Sequence, residues 1–331
     1  MNINVYDEIA ANKRKTIIIL LAFPVALFII MFLLFLLLVK FNALPFTGFG
    51  IYDTEIMNIS FQYTLEVYPW IFIVVFIWIA FSYYYGGSMI LNMANARLVT
   101  VEGNPDLFRL VENTAIMIGL PTPKIYLIED ESLNAFATGR TPETSSIALT
   151  DGIVKKLDKS ELQAVIAHEL AHINNRDTCL MLITIAGIGC FIFLGEILCR
   201  TALRSGSGRS RRSSKNAKGT MLFLLIGIAC LVFGYIVAPI LRFALSRRRE
   251  YQADATAARI TRDPEALVRA LYKISADPRV EALDSNRLVA NICIANPAKV
   301  GLLTGLYLTH PPIEDRIAVL GKMTIAGKRH F

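Results

Sequence analysis

Four runs of apolar side chains stand out along the chain: Thr16 to Val39, Val67 to Tyr85, Cys179 to Cys199 and Met221 to Leu241. Each is about as long as the 18 or more residues that an α-helix needs to cross a hydrocarbon layer of roughly 30 Å. The first run ends on Lys40 with no small-residue cleavage site behind it, so it reads as a retained anchor and not a leader peptide. Pro24 inside it can kink the helix without ending it. Tyr68, Trp70, Tyr83, Tyr84 and Tyr85 crowd the ends of the second run, where amphipathic rings favour the headgroup layer.

Between the second and third runs the pattern changes to that of a water-facing domain. Pro105 to Ile118 repeats at helical spacing, and Pro121 and Pro123 end it ahead of the β-rich Lys124 to Ile128. Ser132 to Thr138 and Ser145 to Thr150 are two more extended runs, joined by Gly139, Arg140, Thr141 and Pro142, which predicts a small meander with an edge strand. Ser160 and Gln163 make a capping-box pattern ahead of Leu162, Val165, Ile166 and Leu170, so a helix is expected from about Glu161. After the fourth run, Ser246 to Ile260 is helix-compatible, with Ala253, Ala255, Ala257 and Ala258 as strong helix formers. Asp263 and Pro264 then start a further helix to about Ala276, and a last one follows Pro311 and Pro312 through Glu314 to Leu320. The chain thus divides into a two-span anchor (1–90), a first polar part (91–178), a hydrophobic helical hairpin with a basic loop at 200–220 (179–245), and a helical C-terminal part (246–331).

Composition agrees with the spans. Hydrophobic residues make up 54% and charged residues 18% of 331, where a soluble domain has about a quarter charged. An integral membrane protein, mainly α with a small mixed or antiparallel sheet, is the expectation. The net charge of +7 equals the seven basic residues between Arg200 and Lys218, a stretch without an acid. That local excess on a Ser/Gly/Arg loop argues against a protein-wide nucleic-acid surface. Orientation follows the excess of Lys and Arg on the cytoplasmic side. Lys13, Arg14 and Lys15 precede the first span, whereas Lys40 stands with Asp53, Glu55 and Glu66 in the next loop. The amino terminus and the 91–178 stretch are therefore expected in the cytoplasm. If the second pair of runs also crosses, the basic loop falls outside against that rule, so a partly buried or interfacial hairpin remains the alternative. Cys179, Cys190, Cys199, Cys230 and Cys293 lack CxxC spacing, which speaks against a disulfide or zinc-thiolate framework.

The chemistry sits on the helix expected from Glu161. His168, Glu169, Leu170, Ala171 and His172 spell HExxH, and two histidines four apart present both imidazoles on one helix face to a single ion. Glu169 beside them is placed as a general base toward an attacking water. Catalytic zinc takes three protein ligands and an open position, and Asp177, Glu196, Glu250, Asp254, Glu265, His310 and Glu314 are the candidates downstream. Glu250 and Asp254, four apart just after the fourth run, make the better pair, one to ligate and the other to accept an imidazole N–H.

HELAHINNRD (168–177), SRRREYQADATAA (246–258), LNAFATG (133–139) and THPPIEDRI (309–317) resemble the membrane zinc endopeptidases of the HtpX type, distant relatives of the CAAX prenyl proteases. The resemblance covers essentially the whole chain and keeps the family's motif order. It implies a zincin-like (gluzincin) α+β catalytic domain carrying one Zn2+ per chain. His168, His172 and Glu250 match the family's zinc ligands, Glu169 the general base and Asp254 an acid behind the ligands. Asn134 falls in a segment beside the cleft, where an extended substrate can add to a sheet edge. His310 matches a histidine that binds the substrate carbonyl or the oxyanion, and Arg316 a nearby structural arginine. The resemblance further implies polypeptide substrates from membrane or misfolded proteins, a role in membrane-protein quality control, and a bacterial inner membrane. Four runs cannot build the larger chamber of the CAAX branch, so prenylated substrates are not expected.

Two other function classes fit less well. A transporter needs ionisable residues within its spans, yet the first two runs have none and the third has only Glu196 near its end. A silent zinc scaffold would lack the base or close the fourth position.

Overall fold

A computed structural model of the protein describes residues 5–40, 53–206, 220–221, 223–235, 247–276 and 313–328. The chain forms two compact units, one of Met1–Thr16, Ser82–Ile185 and Leu241–Phe331 and one of Ile17–Phe81 and Ala186–Ile240.

The second unit is built from the apolar stretches of long helices. Helix α1 (Val5–Lys40) has Pro24 in its interior and α2 (Asp53–Met93) has Pro69. At 1.5 Å per residue each is longer than the roughly 30 Å hydrocarbon layer. Within this unit Tyr68 donates its hydroxyl to the Pro24 carbonyl at 3.1 Å. Phe28 packs edge-on to Tyr68, with ring centroids 5.1 Å apart. Among the described residues, three helices are long and apolar enough to cross a membrane: α1, α2 and α6 (Asp177–Gly206). Of the fourth run, Phe223–Tyr235 is a shorter apolar helix, α7, and residues 236–241 lie outside the described residues. Helices α6 and α7 approach through glycines: a Cβ on Gly195 would stand 2.9 Å from the Gly227 carbonyl, and one on Gly227 3.0 Å from that of Gly195. Small residues let backbones approach in this way where water supplies no hydrophobic drive.

The first unit carries the sheet and the HExxH helix. Its sheet comprises β1 (Arg97–Leu98), β2 (Lys124–Ile128), β3 (Ala135–Thr138) and β4 (Ser146–Thr150) in the order β1-β2-β4-β3. Strand β2 pairs with β4 in parallel, Lys124 opposite Ser146, and β3 pairs antiparallel with β4, Ala135 opposite Leu149. The sheet is thus mixed and not a meander, because β3 runs along the far side of β4. The crossing is held by hydrogen bonds to Thr150: its Oγ1 donates to the Ser132 carbonyl (2.7 Å) and accepts from the Asn134 amide (3.0 Å). Gly152 stands where the crossing segment passes, and a Cβ there would run into the Glu131 carbonyl.

Helix α3 (Pro105–Ile118) is capped by Asn104 and ends on Gly119 at φ +81°, the left-handed stop that glycine adopts without strain. A short α4 (Asp151–Lys156) leads into α5 (Lys159–Asn174). The cap of α5 differs from the expected one: Asp158 accepts from the Glu161 amide (2.9 Å), and Glu161 accepts from that of Asp158 (3.0 Å). Asp outranks the interior Ser160 because its carboxylate also meets the positive end of the helix dipole. Helices α8 (Arg247–Thr261), α9 (Pro264–Ala276) and α10 (Ile313–Lys328) complete the domain. The core joins Leu162, Val165, Ile166, Leu170 and Ile173 of α5 to Val111, Ile125, Ile147, Leu149 and Ile274.

Candidate metal centre

One face of α5 is anchored in that core, and another meets α8. Ala164 and Ala167 of α5 face Ala257 and Ala258 of α8 and Leu267 and Leu271 of α9 in one buried cluster. Small side chains bring the α5 and α8 backbones close, within reach of a glutamate one turn into α8. Glu161 at the start of α5 also accepts from Lys273 of α9 at 2.6 Å, fixing where the helix lies.

His168 and His172 bring their Nε2 atoms to 3.2 Å of one another. Glu250 places Oε2 3.6 Å from His168 Nε2 and Oε1 3.7 Å from His172 Nε2. Donor atoms on a tetrahedral zinc at about 2.0–2.2 Å are separated by roughly 3.3–3.6 Å, so this donor set fits that ion. Both outer imidazole nitrogens are occupied: His168 Nδ1 lies 2.9 Å from Asp254 Oδ1, and His172 Nδ1 lies 2.9 Å from Asp177 Oδ2. With a proton on each Nδ1, both Nε2 lone pairs turn toward the same space.

Charge supports the same fit. Glu169, Asp177, Glu250 and Asp254 are buried carboxylates, and Arg249 and Arg316 are the buried guanidiniums beside them. Four against two leaves two negative charges, which a divalent cation neutralises. Arg316 is fully buried and forks onto Asp254, Nε to Oδ2 at 2.9 Å and Nη2 to Oδ1 at 2.6 Å. Burial pushes the Asp254 carboxyl up, but the Arg316 guanidinium and the His168 bond pull it to about 2. Burial and Arg316 both push His168 down, yet bonds to Asp254 and Glu250 hold it up at about 9. The field at His168 therefore favours a positive charge.

A narrow cleft with room for little more than a water opens beside His172, lined by Ala137, Glu169, His172, Asp177, Thr178, Met181, Arg249 and Glu250. The carboxylate of Glu169 and an apolar wall of Ala137 and Met181 meet there.

Of the residues singled out in the sequence, His168, Glu169, His172, Glu250, Asp254 and Arg316 come together here. Asn134 sits just ahead of β3, its backbone tied to Thr150. His310 lies outside the described residues. Among the other candidate ligands, Glu196 pairs with Arg200 at 2.9 Å, and Glu265 and Glu314 are exposed. Asp177 stands behind the three grouped donors, its Oδ2 2.9 Å from His172 Nδ1. Sequence reasoning missed that role, and it missed Arg249, whose Nη1 lies 3.5 Å from Asp177 Oδ1. Asp177 follows His172 by five residues, a spacing without helical meaning, because the chain turns between them.

Residues 102–324 match Peptidase family M48. A "Protease HtpX homolog" of Bacteroides fragilis (strain YCH46) is 38% identical over 323 residues, covering 96% of this chain and 98% of its own. Proteins of the same name from Streptococcus uberis (34% over 322 residues) and Thermoanaerobacter pseudethanolicus (36% over 324 residues) align along nearly their whole length. Among solved structures, the crystal structure of S. mikatae Ste24p is 20% identical, with a TM-score of 0.47, over 78% of this chain and 58% of that one.

Proposed function

The chain belongs to peptidase family M48 and is a metalloprotease with membrane-crossing helices, and from that premise we propose a specific centre, mechanism and setting. His168, His172 and Glu250 hold one zinc ion, Glu169 is the general base, and the site cuts polypeptides presented at the cytoplasmic face of the membrane. The observation that carries the reading is the convergence of two Nε2 atoms and a carboxylate within 4.8 Å of one another, each imidazole backed by an aspartate.

Bound zinc would supply Lewis acidity, polarising the scissile carbonyl and making the attacking water more acidic. Glu169 accepts the water's proton on a carboxylate oxygen and delivers it to the leaving amine nitrogen, the two proton transfers of amide hydrolysis. Asp254 and Asp177 hold the imidazoles in register. Arg316 keeps Asp254 ionised, so that Asp254 remains an acceptor for His168. His310 donates to the oxyanion, a role that rests on the family resemblance. An extended substrate lies along the β3 edge near Asn134.

The cytoplasmic setting is supported by Lys13, Arg14 and Lys15 ahead of the first span. Membrane-protein quality control in a bacterial inner membrane is what the HtpX-type resemblance implies. The test is cleavage of an unfolded polypeptide and of a co-reconstituted membrane protein by zinc-loaded, full-length protein in lipid vesicles. Wild type cuts both and Glu169→Gln, with matched zinc content, cuts neither; equal cutting by the two proteins removes Glu169 from the mechanism.

A further inference from the structure

The polar start of α1 touches the metal centre from a direction the mechanism does not use. Asn12 is 1% exposed and gives both hydrogens of its Nδ2 inward. One goes to the Asn175 carbonyl at 2.8 Å and the other to Asp177 Oδ1 at 2.8 Å. The opposite oxygen of that carboxylate, Oδ2, lies 2.9 Å from His172 Nδ1. A single side chain on the amino-terminal helix is thus two hydrogen bonds from a candidate metal ligand.

The two acceptors flank a demanding turn. Asn175 caps the end of α5, Asp177 opens α6, and Arg176 between them has φ +62°. That left-handed conformation is one a side-chain-bearing residue rarely adopts. Asn12 bridges the residues on either side of it, so its amide holds both the turn and the rotamer of Asp177. Arg249 Nη1, at 3.5 Å from the same Oδ1, is a longer contact and fixes the carboxylate less closely.

We propose that Asn12 is a positioning residue of the metal centre: it locks the Asp177 carboxylate onto His172, so that the amino-terminal helix sets the affinity and ligand geometry of the bound metal. The proposal rests on His172 being a ligand, as argued above. Loss of a partner that orients a ligating histidine weakens metal binding by roughly 10–100-fold; Asn12 acts one bond further out and belongs at the lower end.

Zinc affinity of full-length, detergent-purified protein is measured by competition with a chromophoric chelator, and ligand geometry by the visible spectrum of the cobalt(II)-loaded form. Asn12→Ala is expected to weaken zinc binding by roughly tenfold and to shift the cobalt bands, while Asn12→Ser, which keeps one donor, falls between it and wild type. Asn104→Ala, which removes the α3 cap away from the metal, serves as the control and leaves both readouts unchanged. Wild-type affinity and spectrum in folded Asn12→Ala or Asn12→Ser overturn the proposal, as does an equal loss in Asn104→Ala, which would mark a general effect of lowered stability. A wild type that binds no metal overturns the parent reading, and this one falls with it.

Discussion

Arg316 shows how much the centre depends on single buried charges. It is wholly enclosed, and its guanidinium is the forked partner of Asp254, which in turn holds His168. Removing one partner of a buried ion pair leaves the other uncompensated, at a cost of about 3–5 kcal/mol. Arg316→Met should therefore lower the unfolding free energy of the metal-free protein by roughly that amount. Adding Asp254→Leu should recover part of the loss in chemical denaturation while zinc affinity stays impaired; a double variant less stable than Arg316→Met would contradict the ion-pair account. The HExxH histidines were legible because a four-residue spacing has one meaning on a helix. By spacing Glu250 and Asp254 were legible only as a pair, and it was the family resemblance that named Glu250 as the ligand and Asp254 as the acid behind it. That choice is made by the close approach of α5 and α8, where Ala164, Ala167, Ala257 and Ala258 meet. Asp177 and Asn12, 165 residues apart, leave no local signal at all.

At the scale of the element, helix starts and stops were readable and lateral neighbours were not. Pro105–Ile118 and Pro264–Ala276 match the expected spans because their caps are chemical: Asn104 and Asp263 accept the amides of Leu107 and Ala266 at 3.1 and 2.9 Å. The order of the sheet depended on how residues 130–134 cross, which periodicity does not encode. Gly152→Ala tests that crossing, since a Cβ would meet backbone and not a flexible side chain tip. It should lower the yield of folded protein and the thermal midpoint, whereas an unchanged midpoint would show that the crossing can relax. The cap of α5 gives a pH prediction. The backbone amide of Glu161 and the hydroxyl of Ser160 hold the Asp158 carboxyl below the usual carboxylate range. A folded value below the unfolded one, about 3.9, means that the stabilisation is complete above the unfolded value and is lost as pH falls through the folded one. Asp158→Asn, which keeps a capping oxygen without a titrating one, should flatten the acid limb of thermal stability; an acid limb identical to wild type would take Asp158 out of it.

For the whole molecule, the second unit exposes Leu21, Trp70, Phe76 and Ile77, each more than 60% accessible. Large apolar side chains exposed in this number suit hydrocarbon better than water. Composition alone made the membrane class legible. The depth of the second apolar pair was not, because the basic loop and the charge rule point in opposite directions. Orientation is testable: a cleavable tag ahead of Met1 should be removed by external protease from inside-out membrane vesicles and protected in right-side-out ones. The reverse pattern would place the amino terminus, and Lys13 to Lys15 with it, on the outer side.

Whether two imidazoles and one carboxylate hold the metal is read by X-ray absorption of the zinc-loaded, full-length protein. Expected are a nearest shell of nitrogen and oxygen at about 2.0–2.2 Å, outer scattering from two imidazole rings, and loss of bound zinc in Glu250→Ala. A sulfur shell at about 2.3 Å, or an unchanged spectrum and zinc content in that variant, would contradict that ligand set.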